Sequence, residues 1–469
     1  MQFRSAESRT RKECGCPTLS APFAKRVGRD NPTGAHPGGT DNRPSVPLVA
    51  PERAGRPSSY VPPSHSEKPC ILDGPPLPGD TCNAMRKGFM TKRVRLASAL
   101  IIAALVLTGA DALAGQFQRP VYYPAGQRPY QLIATHLTKS GNLDLVVANY
   151  LSSQIVVLLG KGDGTFQKPM SFTVSTPIGV AVGDLNGDGN EDLVIVESGG
   201  TGAGTLAVYV GHGDGKFSFK SSYLVGSQAG FVTVADFDGD GKLDVAETDA
   251  GNGSEGVLRI FRGTGKGTLL KPTVYKIPDT PGALAAGDLN GDHHIDIALV
   301  QYATGSVGVL MNDGTGKFQK PVTYSAGSAG AAPQDVKIAD LRNDGREDLI
   351  IANLSPGMTV LLNKGNGTFG KPSFYLPCGN NCAPPESCTV ADFNLDGKLD
   401  VACATRLDDA YFFYGNGKGG FGAANPIAET IKNQGGFSIA AGDFNNDGAP
   451  DLAIPIELKG KVAIMLNTR

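Results

Sequence analysis

The chain has 469 residues, 43 Lys and Arg against 45 Asp and Glu, and a formal net charge of −2. Residues 1–114 hold 16 of the basic and 9 of the acidic residues, which leaves 27 against 36 in the remainder, a net charge of −9. So acidic a remainder argues against nucleic acid as a partner, because binding phosphates needs a basic face.

Residues 1–89 are rich in Pro, Arg, Ser and Gly and show no sustained apolar periodicity, so they are expected to be disordered or an over-extended upstream segment. A basic n-region (Lys92, Arg93, Arg95), an apolar run from Leu96 to Leu107 and the small-x-small motif Ala112-Leu113-Ala114 then read as a signal peptide over 90–114. The apolar run is short for a membrane span of about 20 residues. Cleavage near Ala114 would deliver residues 115–469 to a secreted, periplasmic or cell-surface location; an uncleaved anchor with a cytoplasmic tail is the rival reading.

From His136 onward one unit recurs seven times. The loops begin at His136, Asp184, Asp236, Asp288, Asp340, Asp392 and Asp443, in steps of 48, 52, 52, 52, 52 and 51 residues. In each unit a short strand such as "GVAVGD" enters the loop and "DLVIV" leaves it. A third strand follows ("TLAVYVG", "VGVLMN"), then a Gly-rich turn with an aromatic ("GDGTF", "GTGKF"), then a last strand near Lys-Pro. Four strands in seven units predict an all-β, seven-bladed propeller. The last unit stops after its third strand at "KVAIMLNTR", while "GQFQRPVYYPAG" at 115–126 matches the missing piece. The N-terminal strand of the mature chain is therefore expected to complete the last blade.

Within the loops, carboxylate or amide oxygens fall at positions 1, 3, 5 and 9, as at Asp184, Asn186, Asp188 and Asp192. Calcium takes six to eight oxygens in flexible geometry, which suits this pattern better than a plain turn does. Position 7 varies freely, and Gly at position 6 permits a positive φ. Asp236 to Glu247 also satisfies the EF-hand pattern, but strands flank it and position 12 does not recur, so an EF-hand is rejected.

The D-x-[DN]-x-D-G-x-x-D loops and "GTF"/"GKF" turns resemble the FG-GAP/VCBS repeat family, also seen at the head of integrin α chains. The resemblance covers residues 115–469 and implies Ca2+ between the first and second strands. Carried over residue by residue, it implies about five sites. Their side-chain ligands are Asp184, Asn186, Asp188, Asp192; Asp236, Asp238, Asp240, Asp244; Asp288, Asn290, Asp292, Asp296; Asp392, Asn394, Asp396, Asp400; and Asp443, Asn445, Asp447, Asp451. The sequence departs from the pattern in three loops. His293 stands where Gly is usual, which weakens that site. Arg342 occupies position 3 beside Asp340, Asp344 and Asp348, where its guanidinium is expected to replace the metal. Thr138 and Ser140 leave the His136 loop empty.

Cys378, Cys382, Cys388 and Cys403 crowd one stretch and read as disulfides; of the three possible pairings Cys378–Cys382 with Cys388–Cys403 is preferred, and a four-cysteine zinc site is the alternative. Polar residues after several second strands, Asn149, Glu197, Asp249, Gln301 and Asn353, are candidates to rim the central opening, against a reading as ordinary solvated loop residues. There is no H-E-x-x-H, G-x-S-x-G or G-x4-G-K-[ST] motif, so no catalytic residues or organic cofactor are assigned. The chain reads as a non-enzymatic recognition or adhesion module for an extracellular protein or glycan. A lectin, disfavoured by the absence of Trp, and a polysaccharide lyase are the alternatives.

Overall fold

The computed structural model describes residues 116–200, 202–251, 255–327, 331–355, 357–376, 383–405, 410–427 and 436–469. They form seven four-stranded antiparallel sheets. Blade 1 comprises Pro129–Thr135, Asp144–Asn149, Gln154–Leu158 and Met170–Thr173. Each later blade repeats this order. The seventh combines both ends of the region: Ala440–Gly442, Asp451–Ile456, Lys461–Met465 and, at its outer edge, Val121–Pro124. In that edge pairing Val121 faces Ile464 and Pro124 faces Lys461, while Phe117 bridges Asn467.

The first strands form the inner ring, each packed against the next, with the first strand of blade 7 against that of blade 1. The second strands are sandwiched between neighbouring blades, which explains apolar runs such as "DLVVAN" and "DLIIAN", buried along their whole length. Side chains alternate along each of them: Leu145 and Val147 face blade 7, Val146 and Ala148 face blade 2. Among the described residues the buried apolar side chains fall into seven clusters, one per blade interface. Fourth strands form the outer edge and are largely exposed.

The recurring turn aromatic fastens one blade to the one before it. Tyr123 of blade 7 meets Phe166 of blade 1 at 5.1 Å between ring centroids, Tyr275 meets Phe318 at 5.8 Å and Tyr324 meets Phe369 at 5.2 Å, each edge to face. Among the described residues no helix is long and apolar enough to cross a membrane.

Cys388 and Cys403 are directly opposed on the first two strands of blade 6 and form a disulfide. Cys378 and Cys382 lie outside the described residues. The bridge closes a loop with a sequence separation of 15. Replacing both residues by Ala is expected to destabilise the propeller by about 3 kcal/mol, read from urea unfolding under oxidising conditions. A change of only a few tenths would show that the blade does not depend on the bridge.

Blade 3 contains an ionic exception to the apolar core. Glu247 is fully buried, with Oε2 2.9 Å from Arg259 Nη1, and Arg259 Nη2 lies 3.1 Å from Asp249 Oδ2. Burial pushes the Glu247 carboxyl up to about 7 although Arg259 opposes the shift. The residue that completes the EF-hand pattern is thus an interior ion-pair partner.

Candidate metal loops and central cleft

The acidic loops sit where the first strand of each blade turns into the second. In blade 2, Asp184 Oδ1 accepts N–H bonds from Asn186 (3.2 Å), Gly187 (2.7 Å) and Asp188 (3.2 Å), and Oδ2 accepts from Gly189 (2.8 Å). One carboxylate thereby organises the whole turn. The Asn186 amide donates to Asp188 Oδ2 at 3.1 Å, and the same amide-to-position-5 bond recurs at Asn290 and Asn445.

Such tight turns need positive φ at two positions, 4 as well as 6. Position 6 is Gly189 (φ 79°) and Gly241 (φ 79°), with His293 at φ 66° in blade 4. Position 4 is Gly187 (φ 76°) and Gly239 (φ 72°), but Leu395 (φ 59°) in blade 6. Leu395 is exposed and L-residues resist this conformation. Leu395→Gly is expected to stabilise the protein by roughly 0.5–1 kcal/mol, the left-handed penalty relieved less the extra entropy of an unfolded glycine. A destabilising outcome in thermal unfolding would contradict that.

Position 9 is a buried aspartate in all seven loops: Asp144, Asp192, Asp244, Asp296, Asp348, Asp400 and Asp451. Asp192 Oδ2 accepts Leu185 N–H (3.0 Å) and Oδ1 accepts Gly211 N–H (2.8 Å) from the end of the third strand. The same two bonds recur at Asp144, Asp244, Asp296, Asp400 and Asp451. This residue therefore clamps the loop to the third strand even in the His136 loop. There Thr138 and Ser140 bond to each other at 2.9 Å and no further carboxylate takes part.

The electrostatics of the other loops favour a cation. Ligand atoms of Asp236, Asp238 and Asp244 all lie within 4.8 Å of one another. Burial, with the neighbouring carboxylates adding to it, pushes Asp244, Asp296 and Asp451 up to about 6, against the pull of their backbone N–H bonds. The residues present fit a hard divalent ion, since they are oxygen donors gathered on one tight turn, although Lys242, Arg262 and Lys398 offset part of the charge in the Asp236 and Asp392 loops.

The fifth loop supplies a cation from the protein. Arg342 reaches inward, with Nη1 3.1 Å from Asp344 Oδ2, Nη2 2.8 Å from Asp348 Oδ1 and Nε 3.2 Å from Asp348 Oδ2. Nη2 also donates to Asn363 O at 2.8 Å. At the Asp236 loop cations stand outside: Arg262 Nη1 is 3.2 Å from Asp238 Oδ2, and Lys242 Nζ is 2.5 Å from Asp240 Oδ2.

The five polar residues after the second strands stand apart from the central cleft and bond locally. Asn149, Asp249, Gln301 and Asn353 are buried. Asn149 Nδ2 donates to Val147 O and Gln154 O, Asp249 receives Arg259, Gln301 Nε2 donates to Pro278 O, and Asn353 Nδ2 donates to Thr359 Oγ1. Glu197, half-buried, accepts from Thr205 Oγ1 at 2.5 Å. Second strands are not innermost, so their ends do not reach the axis.

The cleft on the axis, of about 130 Å³, is lined by residues of six blades, near the ends of the first strands away from the acidic loops and, in blade 7, just before that strand. Tyr130, Gln131, Phe231, Gln334, Asp335, Lys337, Glu386, Ser387, Phe437 and Ser438 contribute to it. The first strands of blades 1 to 6 each carry a register shift near their start, the stretch to which most of these cleft residues belong. Sequence reasoning missed them. The available signal was the variation just after the strand-opening Pro or Gly in "PYQL", "PIGV", "PQDV", "PESC" and "GGFS".

Fold and loops together define a seven-bladed, acidic-loop propeller of the integrin-α type. The FG-GAP-like repeat matches residues 137–195, 184–247, 288–351, 340–403 and 392–454, more than half of the chain, and the chain belongs to that family. It is 22% identical over 297 residues to Cartilage acidic protein 1 of Mus musculus, covering 59% of this chain and 40% of that one, so it spans well under half of that relative. Among solved structures it is similar to the BP39L lectin from Burkholderia pseudomallei, with a TM-score of 0.55, 15% identity and coverage of 73% of this chain and 97% of the lectin. It is also similar to BBS1N in complex with ARL6DN, with a TM-score of 0.53, 13% identity and coverage of 76% and 98%.

Proposed function

We propose that residues 115–469 form an exported, calcium-stabilised recognition module for an extracellular protein or glycan. Ca2+ would be held by the loops beginning at Asp184, Asp236, Asp288, Asp392 and Asp443, and would neutralise carboxylates that repel one another. The observation that carries the calcium reading is Arg342, a fixed positive charge among the carboxylates of the one loop whose position 3 is cationic. The ion's part is structural: it ties the turn between the two inner strands and so stiffens the ring on which binding surfaces stand.

Recognition is supported by the family and by neighbours described as a lectin and as one partner of a protein complex. Export rests on the sequence of residues 90–114. Phe117, already paired with Asn467, follows Ala114 closely, so cleavage there would leave the ring intact. A glycan and protein array, with and without chelator, tests the binding reading. A parallel cleavage assay on uronic-acid polysaccharides tests the lyase alternative, and release of unsaturated products would overturn a purely binding role.

A further inference from the structure

We propose that Asn312 and Asn467 couple neighbouring cation loops in pairs, the Asp236 loop with the Asp288 loop and the Asp392 loop with the Asp443 loop, and that the Asp184 loop fills independently. This rests on the calcium reading above and adds how the sites respond to one another.

Just after the third strand of each blade stands a residue whose N–H donates to the position 9 aspartate of the same blade. In blades 1, 2, 3 and 6 it is a glycine: Gly160, Gly211, Gly263 and Gly415. In blades 4, 5 and 7 it is Asn312, Asn363 and Asn467, all buried, with N–H bonds of 2.7, 2.8 and 2.7 Å to Asp296, Asp348 and Asp451. Glycine ends the contact there, whereas asparagine extends it into the preceding blade. Asn312 Nδ2 donates to Phe237 O of blade 3 at 2.7 Å, Asn363 Nδ2 to Leu289 O of blade 4 at 2.7 Å, and Asn467 Nδ2 to Phe393 O of blade 6 at 2.8 Å.

The three amides are held on every side. Each Nδ2 also donates to a carbonyl of its own blade, that of Ile295, Glu347 or Pro450, and each Oδ1 accepts an N–H, from Gly314, Gly365 or Arg469. Their acceptors stand at a sensitive place. Phe237 and Phe393 occupy position 2, between the ligands at positions 1 and 3, and their carbonyls belong to the peptide that leads into position 3. Their N–H groups are already held by the position 9 residues Asp244 and Asp400, both at 3.1 Å. One asparagine therefore ties a ligand of its own loop to the segment that aims two ligands of the next. Ordering one loop orders the anchor of its neighbour, which then has less freedom to lose on loading.

Asn363 makes the same link between the Asp288 loop and the loop of Arg342, and Arg342 Nη2 donates to its carbonyl at 2.8 Å. The built-in cation thus anchors the neighbour of the Asp288 loop permanently. The Asp184 loop differs. Blade 3 presents Gly263 at the linking position, and Leu185 O accepts instead from the Gly267 backbone N–H of a turn, at 3.0 Å.

Calcium titrations of the 115–469 protein followed by amide NMR read each loop separately. The N–H groups at position 6, of Gly189, Gly241, His293, Gly397 and Gly448, each donate to the position 1 carboxylate of their own loop. Asp292→Ala removes an exposed ligand of the Asp288 loop and is expected to weaken calcium binding at the untouched Asp236 loop by about fivefold or more. Repulsion between neighbouring cations alone would act with the opposite sign. In an Asn312→Ala background the same substitution should change the Asp236 loop by less than about twofold, and so should Asp188→Ala in the Asp184 loop of the otherwise unaltered protein. Melting curves in chelator establish that each variant folds; should Asn312→Ala fail to, the sign of the Asp292→Ala effect decides. An Asp236 loop that binds calcium equally well or more tightly after Asp292→Ala overturns the coupling and leaves the calcium reading standing. Position 6 amides that ignore calcium remove both.

Discussion

Chelating calcium at pH 7.5 is expected to lower the unfolding temperature of the 115–469 propeller by roughly 10 °C or more. An ion that binds only the folded state, at a hundred times its Kd, stabilises by about 2.7 kcal/mol per site, and several such sites are proposed here. The same carboxylates give the effect a definite pH dependence. Asp244, Asp296 and Asp451 have folded pKa values near 6, above the ordinary 3.8. Without metal the folded state retains protons that the unfolded chain has released, so this contribution is complete below about pH 4 and lost as pH rises through 6. In chelator the protein should therefore melt at a higher temperature at pH 5 than at pH 7.5. In millimolar calcium the order reverses, because protons and the cation compete for the same oxygens. Scanning calorimetry across this range with EDTA and with calcium checks both signs. A melting temperature indifferent to calcium at pH 7.5 would remove the metal from the account.

The second large effect separates the clamp from the metal. Asp144→Ala is expected to destabilise by roughly 2–6 kcal/mol, because two buried N–H groups, of Leu137 and Gly160, lose their acceptor at about 1–3 kcal/mol each. The loss should be the same with calcium and with chelator, since the His136 loop is not among the proposed cation sites. Asp192→Ala removes the equivalent bonds to Leu185 and Gly211, so its penalty should be larger in calcium than in chelator. Urea unfolding of both variants in both buffers makes the comparison. Equal penalties for Asp192→Ala in the two buffers would mean that position 9 is a hydrogen-bond clamp alone.

The parts of this architecture that could be read from the sequence are those encoded locally. Strand alternation, the acidic loop and the aromatic turn each occupy a few adjacent residues and repeat at a fixed step, so the blades and their order were legible. Arg342 was legible too, because a cation inside an otherwise acidic loop has few places to go. What depends on packing between blades was harder to see. Asn149 and Asn353 look like solvent-facing ends of strands, yet neighbours on both sides bury them and they bond to their own hairpins. Tyr130, Phe231 and Phe437 lie in separate units and line one cleft only because the ring closes. Leu395 hides its positive φ because nothing in a leucine advertises a left-handed turn.

The most direct test of the central claim is long-wavelength anomalous diffraction from crystals grown in calcium. The loops beginning at Asp184, Asp236, Asp288, Asp392 and Asp443 should each show a calcium peak, with none at Asp340, where Arg342 sits, or at His136. An ion resolved beside Arg342, or no anomalous peak in the five acidic loops, would contradict it.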